Sequence, residues 1–152
     1  TGDVSIPIGP KPRNINKLFN YGDETKNQLQ KWAEMGYLDA SYPDTIESLP
    51  SWDDTTQSLE LRARSYLDIN CAHCHSSIPE NLGICVEPDT EIVGAGLTHI
   101  VNPGSFDRSV LYYRMNSVEE STRMPLLGRT LKHQEGVQLI QQWINSLTIQ
   151  CN

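Results

Sequence analysis

The sequence lacks several features that would place it in a common class of proteins. It has no run of about 18 apolar residues, so we expect no segment that spans a membrane. It contains no internal repeat and no low-complexity segment. Its 12 basic residues are outnumbered by 19 acidic ones, and the formal net charge of −7 at pH 7 argues against a nucleic-acid partner. What remains is an acidic chain of 152 residues, a length that suits one domain.

Cysteine is also scarce, and half of the 4 cysteines stand in one motif, Cys71-Ala72-His73-Cys74-His75. A Cys-x-x-Cys-His run lets two thiols add to the vinyl groups of one haem while the following imidazole binds the iron. The two-residue spacer holds the sulfurs about one helical turn apart, which suits the separation of the vinyl groups. The motif therefore predicts one covalently bound haem c, attached through Cys71 and Cys74, with His75 as a ligand of the iron.

Two other uses of a Cys-x-x-Cys pair require features that the sequence does not offer. A structural zinc site needs a second pair of ligands downstream, and no second pair of this kind is present. A thioredoxin-type dithiol needs a βαβ context, which the surrounding pattern does not provide. Zinc binding and dithiol chemistry stay as the alternatives to haem attachment.

Cys85 and Cys151 remain after the haem has taken its pair. Haem c is attached on the outer side of the bacterial cytoplasmic membrane, so we expect a periplasmic or extracellular location. In such an oxidising compartment the even remainder predicts a Cys85–Cys151 disulfide, worth about 4 kcal/mol in the chain-entropy model. The alternative is two unrelated cysteines that serve as small buried hydrophobic residues.

The chain starts at Thr1, without an initiator methionine or a signal peptide. We therefore expect a mature form or a piece of a longer protein.

The distribution of turn-forming residues predicts an N-terminal part, residues 1–57, packed on a haem domain of residues 58–152. Residues 1–21 are rich in proline and glycine and are predicted to form an extended arm. A short amphipathic helix is predicted over 23–35, with Gly36 as its left-handed C-cap.

Three helices are predicted in the haem domain. The first, Leu59–Asn70, is capped by Ser58 or Gln57 and leads directly into the haem motif. The second covers residues 106–116, and the third covers about 132–147. The third carries an apolar stripe made of Val137, Ile140, Trp143, Ile144 and Leu147.

Two loops connect these helices. Residues 76–103 contain several prolines and glycines, and we predict mainly loop there, with a short strand at 91–93. A second loop, residues 123–128, carries a methionine and precedes the last helix.

This order of helix, haem motif, long loop, helix, methionine loop and helix resembles the class I c-type cytochromes. In that family the first and last helices cross, and residues eight and four positions before the first haem cysteine form the contact. These positions are Ala63 and Leu67 here, predicted to face Trp143 and Ile144, with alanine in place of the more usual glycine. The resemblance implies an all-α fold, with cytochrome c-like helices around one covalently bound haem and an N-terminal extension.

Shorter motifs are similar to the monohaem cytochrome region at the C-terminus of some secreted bacterial proteins, including those with quinoprotein sugar-dehydrogenase-like domains. The similarity covers about residues 7–148. The motifs lie at residues 7–14, 62–68, 94–97, 102–104, 123–125 and 141–144.

Met124 is the predicted sixth ligand of the iron. It lies in an Arg-Met-Pro loop, where Pro125 keeps the preceding backbone out of a helix and allows the thioether to point inward. Met35 and Met115 belong to predicted helices, where a thioether more often fills the core. His99 is the rival ligand, and an open sixth position is the remaining possibility.

A proximal histidine with a distal methionine leaves no vacant position on the iron, so we predict an electron carrier rather than an enzyme. The carrier would relay one electron for a secreted or periplasmic redox enzyme, as a monomer or as a domain of a larger oxidoreductase. Its acidic charge predicts a redox partner with a basic docking patch. The alternatives are a haem enzyme or gas sensor with a displaceable sixth ligand, and a carbohydrate-binding appendage that uses Trp32 and Trp52.

Overall fold

The computed structural model describes residues 9–43, 45–75, 84 and 99–149. The chain divides into two compact units, Thr1–Pro50 and Ser51–Asn152. The sequence predicts the division after residue 57, and the packing of the N-terminal part on the haem domain stays a prediction.

A short β-hairpin lies in the first unit, after the four-residue helix α1 (Pro12–Ile15). Strand β1 (Leu18–Asn20) pairs antiparallel with strand β2 (Thr25–Asn27), and Phe19 lies opposite Lys26. The predicted all-α fold class is therefore wrong, because the helices of this chain are accompanied by a two-stranded antiparallel sheet.

The turn of the hairpin explains why it forms. Gly22 has a φ of 97°, a conformation that glycine adopts without the steric cost of a side chain. The side-chain oxygen of Asn20 accepts the N–H of Gly22 at 2.8 Å, and the N–H of Tyr21 donates to the carbonyl of Glu24 at 2.8 Å. The strands are three residues long and have no alternating apolar pattern, so periodicity does not reveal them.

Helix α2 (Gln28–Glu34) follows the second strand and is shorter than the helix predicted over 23–35. It begins after Asn27, whose side-chain oxygen accepts the N–H of Leu29 at 2.9 Å. Thr25 and Lys26, before this cap, belong to β2, and residues 23–24 lie in the turn of the hairpin, so none of them is available to the helix. At the other end Gly36 has a φ of 74°, as expected for a left-handed C-cap.

Helix α3 (Leu59–Asn70) is the first helix of the second unit's hydrophobic core, and it has the predicted bounds. The hydroxyl of Ser58 caps it by accepting the N–H of Leu61 at 3.2 Å. Its buried residues are Ala63, Ser65, Tyr66 and Leu67.

The second predicted helix of this unit is interrupted. A 3₁₀ helix (Phe106–Arg108) and helix α4 (Val110–Asn116) are separated by Ser109, which is fully buried and has extended backbone angles. The Ser109 hydroxyl accepts the N–H of Asn102 at 2.8 Å and donates to the carbonyl of Ser105 at 2.9 Å. These side-chain hydrogen bonds offer the backbone an alternative to the helical pattern, which is why the helix breaks here.

Helix α5 (Gln134–Ser146) is slightly shorter than the predicted 132–147. It carries four of the five residues of the predicted apolar stripe, and Leu147 is its C-cap residue. Gly136 and Leu139 are buried in addition to the stripe. The residues of this helix that are buried in the core are Val137, Leu139, Ile140, Trp143 and Ile144.

Helices α3 and α5 pack against each other, as the resemblance implies. Ala63 and Trp143 are fully buried in the same core, and the indole N–H of Trp143 donates to the carboxylate of Glu60. Gly136 lies so close to the ring of Tyr66 that a Cβ at this position would overlap it. The missing side chain of Gly136 on α5 therefore leaves room for the ring of Tyr66 on α3.

Several predictions concern residues outside the described ranges. They are the strand at 91–93, most of the loop at 76–103, and the disulfide between Cys85 and Cys151, and they stay predictions. In the parts of the chain that the structure describes, no helix is long and apolar enough to cross a membrane.

Candidate functional site

The haem motif follows α3 without a break. The N–H of Cys71 donates to the carbonyl of Leu67 at 2.9 Å, which continues the helical pattern by one residue. The N–H groups of Cys74 and His75 then donate to the carbonyl of Cys71 at 3.1 and 3.0 Å. Both cysteines and the histidine therefore lie on one turn that is fixed to the end of a packed helix.

A cavity of about 360 Å³ lies beside this turn, a size in the range of ligand-binding cavities. Its described wall combines the end of α3, the loop around Met124 and the start of α5. The wall residues are Tyr66, Asn70, Cys71, Met115, Met124, Pro125, Leu127, Gly128, Arg129, Thr130, Leu131, His133 and Val137. Cys71 and Met124, two residues that the sequence assigns to one haem, thus line the same cavity.

The two thiols have different surroundings. Cys71 is half-buried, whereas Cys74 is exposed. Burial raises the pKa of the Cys71 thiol to about 11, and the charge of Cys74 acts in the same direction. Cys71 is therefore a neutral thiol at the cavity wall around pH 7.

His75 and Cys74 are placed differently from Cys71. Both side chains are exposed, and neither is among the described residues that line the cavity. The structure therefore brings together two of the four predicted haem-binding residues, Cys71 and Met124, and leaves the other two on the outer side of the same turn.

Met124 is held through its backbone on both sides. Its N–H donates to the carbonyl of Arg114 at 3.0 Å, and its carbonyl accepts a hydrogen bond from the guanidinium of Arg129. The same guanidinium donates to the carbonyl of Met115 at 2.6 Å. The methionine loop is therefore attached to the C-terminal end of α4, where helical carbonyls need partners.

The rival ligands lie in other settings. Met115 reaches the cavity wall but is 7% exposed and packs in the core of the second unit. Met35 is an exposed residue of the first unit. His99 is not among the described residues of the cavity wall, and its backbone carbonyl accepts the N–H of Val110 at 3.0 Å.

A tyrosine and a histidine on the cavity wall form a pair that the sequence does not reveal. The hydroxyl of Tyr66 lies 3.1 Å from Nδ1 of His133, and the two rings stack with their centroids 5.7 Å apart. Trp52 meets His133 edge-on at 4.9 Å. Burial raises the pKa of Tyr66. His133 is an exposed residue that also contributes to the wall beside Met124.

The donors at this site fit a covalently attached haem. Two thiols and an imidazole on one turn are the groups that hold haem c, and Met124 adds a soft thioether at the cavity. Cys74 and His75 lie outside the described cavity wall. Among the described residues, no group of three or more His, Cys, Asp or Glu side chains is arranged to hold a metal ion on its own.

No family model matches the chain, and neither a curated protein nor a solved structure matches it. The resemblance to c-type cytochromes therefore stays a prediction, and a functional assignment has to rest on the residues of the site.

Proposed function

We propose that this chain is an electron-transfer c-type cytochrome domain that carries one covalently bound haem. Cys71 and Cys74 would hold the haem through thioether bonds, and His75 and Met124 would be the protein ligands of its iron. The observation that carries this proposal is that Cys71 and Met124 line one cavity although a long segment of sequence separates them.

The bound haem would supply one-electron redox chemistry, at a potential that methionine ligation raises relative to bis-histidine ligation. The chain's own residues have simpler tasks. The turn after α3 anchors the group, and the loop held by Arg129 presents the thioether of Met124. The buried side chains of Met115 and Val137 would supply apolar contacts on the cavity wall.

Two protein ligands on the iron would favour electron transfer over catalysis. A haem enzyme or a gas sensor needs a vacant or displaceable sixth position. The backbone hydrogen bonds on both sides of Met124 support a ligand that stays in place in both redox states. The proposal is therefore an electron carrier, acting in the periplasm or outside the cell, where haem c is attached.

The charge distribution bears on the proposed partner, a redox protein with a basic docking patch. Residues 76–98 contain four acidic side chains and no basic one. In contrast, residues 99–149, which include the methionine loop, contain five basic and four acidic side chains. The net negative charge of the sequence from residue 76 to residue 149 therefore comes from the segment 76–98.

Haem attachment is tested by expressing the chain together with a cytochrome c maturation system. Denaturing electrophoresis with haem staining should show haem on the wild-type chain, and extraction with acidified acetone should leave it there. The double variant Cys71→Ala/Cys74→Ala should carry no covalent haem, whereas Cys85→Ala should keep it. Loss of haem from the wild-type chain on extraction would refute the proposal.

A further inference from the structure

The side chain of Arg129 lies at the centre of the contacts that hold the methionine loop. Its Nη1 donates to the carbonyl of Met124, and its Nη2 donates to the carbonyls of Met115 and Ser117 at 2.6 and 3.1 Å. Its Nε donates to the carbonyl of Leu131 at 3.3 Å. One side chain therefore connects Met124 and Leu131, which lie on either side of Arg129 in the chain, to the C-terminal end of helix α4.

Arg129 makes these contacts because it lies beside the C-terminal end of helix α4. The last carbonyls of α4 have no N–H partner within the helix. The carbonyl of Arg114 takes its partner from the N–H of Met124, and the carbonyl of Met115 takes its partner from the guanidinium. A cation is also favoured at this end by the helix dipole. The loop that carries Met124 is thus the cap of the preceding helix.

This set of contacts requires the planar guanidinium group of arginine. The guanidinium presents five N–H donors in fixed directions, whereas the lysine ammonium is a single point of charge on a flexible stem. Lysine at position 129 would keep the positive charge but would not donate to the carbonyls of Met124 and Leu131 at the same time. This difference separates the positioning of Met124 from a general effect of positive charge.

On the basis of the function proposed above, we infer that Arg129 is a positioning residue that keeps the Met124 thioether on the haem iron. Its guanidinium fixes the backbone carbonyl of Met124, and without it the loop populates conformations in which the thioether has left. External ligands can bind only in those conformations, so their apparent affinity reports the population directly.

The test uses the haem-loaded, oxidised chain and imidazole as the external ligand. Arg129→Lys and Arg129→Gln should both bind imidazole at least about tenfold more tightly than the wild type and should weaken the long-wavelength sulfur-to-iron band. Covalent haem and the far-UV circular dichroism spectrum should stay unchanged. The matched control is Arg108→Gln, which removes the same charge from an exposed side chain on the 3₁₀ helix and should leave both readouts unchanged.

A second variant covers the case in which the Arg129 variants do not fold. Gly128 has a φ of 71° and directs the chain into Arg129, and a Cβ added to this glycine would meet no atom within 4 Å. Gly128→Ala therefore strains only the local backbone, and we expect imidazole to bind about fivefold more tightly.

The outcomes separate this inference from the proposed function. Wild-type affinity in Arg129→Lys, Arg129→Gln or, where these do not fold, Gly128→Ala would overturn the inference. In particular, tighter imidazole binding in Arg129→Gln but not in Arg129→Lys would show that a positive charge at position 129 is enough to hold Met124. A wild-type chain without covalent haem would instead refute the proposed function itself.

Discussion

The crossing of α3 and α5 and the loop around Met124 are stabilised in different ways. At the crossing, Ala63, Trp143 and Ile144 are fully buried in one apolar core. The loop has little apolar burial, and Leu127 is 80% exposed although it lines the cavity. Its position depends on backbone carbonyls that accept hydrogen bonds from Arg129.

The difference assigns separate roles to the two regions. Apolar burial at the crossing supplies much of the free energy of folding of the second unit. The hydrogen bonds of the loop contribute less to that free energy but fix one thioether at one place. Substitutions at the crossing should therefore change global stability, and substitutions in the loop should change the proposed ligation of the haem iron by Met124.

The largest effect on stability is expected for Trp143→Ala. This substitution removes a fully buried indole and leaves the carboxylate of Glu60 without its indole partner, so we expect a loss of about 3–5 kcal/mol. Urea unfolding of the haem-loaded chain, followed by circular dichroism, measures the loss. The control is Ile149→Ala, at an exposed position, with an expected change within about 0.5 kcal/mol. A loss below about 1 kcal/mol for Trp143→Ala would mean that the crossing is not the main core.

An intermediate effect is expected for Ser109→Ala, which tests a buried hydrogen bond away from both regions. The substitution leaves the N–H of Asn102 and the carbonyl of Ser105 without their hydroxyl partner and should cost about 1–3 kcal/mol. Ser121→Ala, at an exposed position, is the matched control in the same urea titration. Equal midpoints for the two variants would show that the hydroxyl of Ser109 does not stabilise the break before α4.

The smallest effect is expected for Gly136→Ala, where the sign is informative. Alanine stabilises an open helical position by about 1 kcal/mol relative to glycine. Here its Cβ would overlap Tyr66, and overpacking costs about 1–3 kcal/mol, so we expect a net loss of about 1 kcal/mol. A gain in the urea midpoint would show that the ring of Tyr66 does not have to lie against Gly136.

The sequence predicts the parts of this chain that have a periodic or a spaced signal. The bounds of α3 and the apolar stripe of α5 follow from repeating apolar positions and from the Ser58 cap. The haem motif depends on a fixed spacing, and Pro125 distinguishes Met124 from the other methionines. These signals are local, so one sequence is enough to detect them.

The parts that the sequence does not predict depend on short turns or on contacts between distant residues. The hairpin of the first unit depends on the turn at Gly22 rather than on an alternating pattern. The contacts of Arg129 are with backbone carbonyls, which every residue has, so no residue type marks the partners. The pairing of Tyr66 with His133 joins residues far apart in the chain, and neither residue predicts the other.

The most direct test of the central claim compares the two methionines at the cavity. In the oxidised, haem-loaded chain, Met124→Ala should abolish the weak long-wavelength sulfur-to-iron band and lower the reduction potential. Met115→Leu, a volume-conserving change in the core, should preserve both. A band that persists in Met124→Ala, together with its loss in Met115→Leu or a changed spectrum in His99→Ala, would contradict the account.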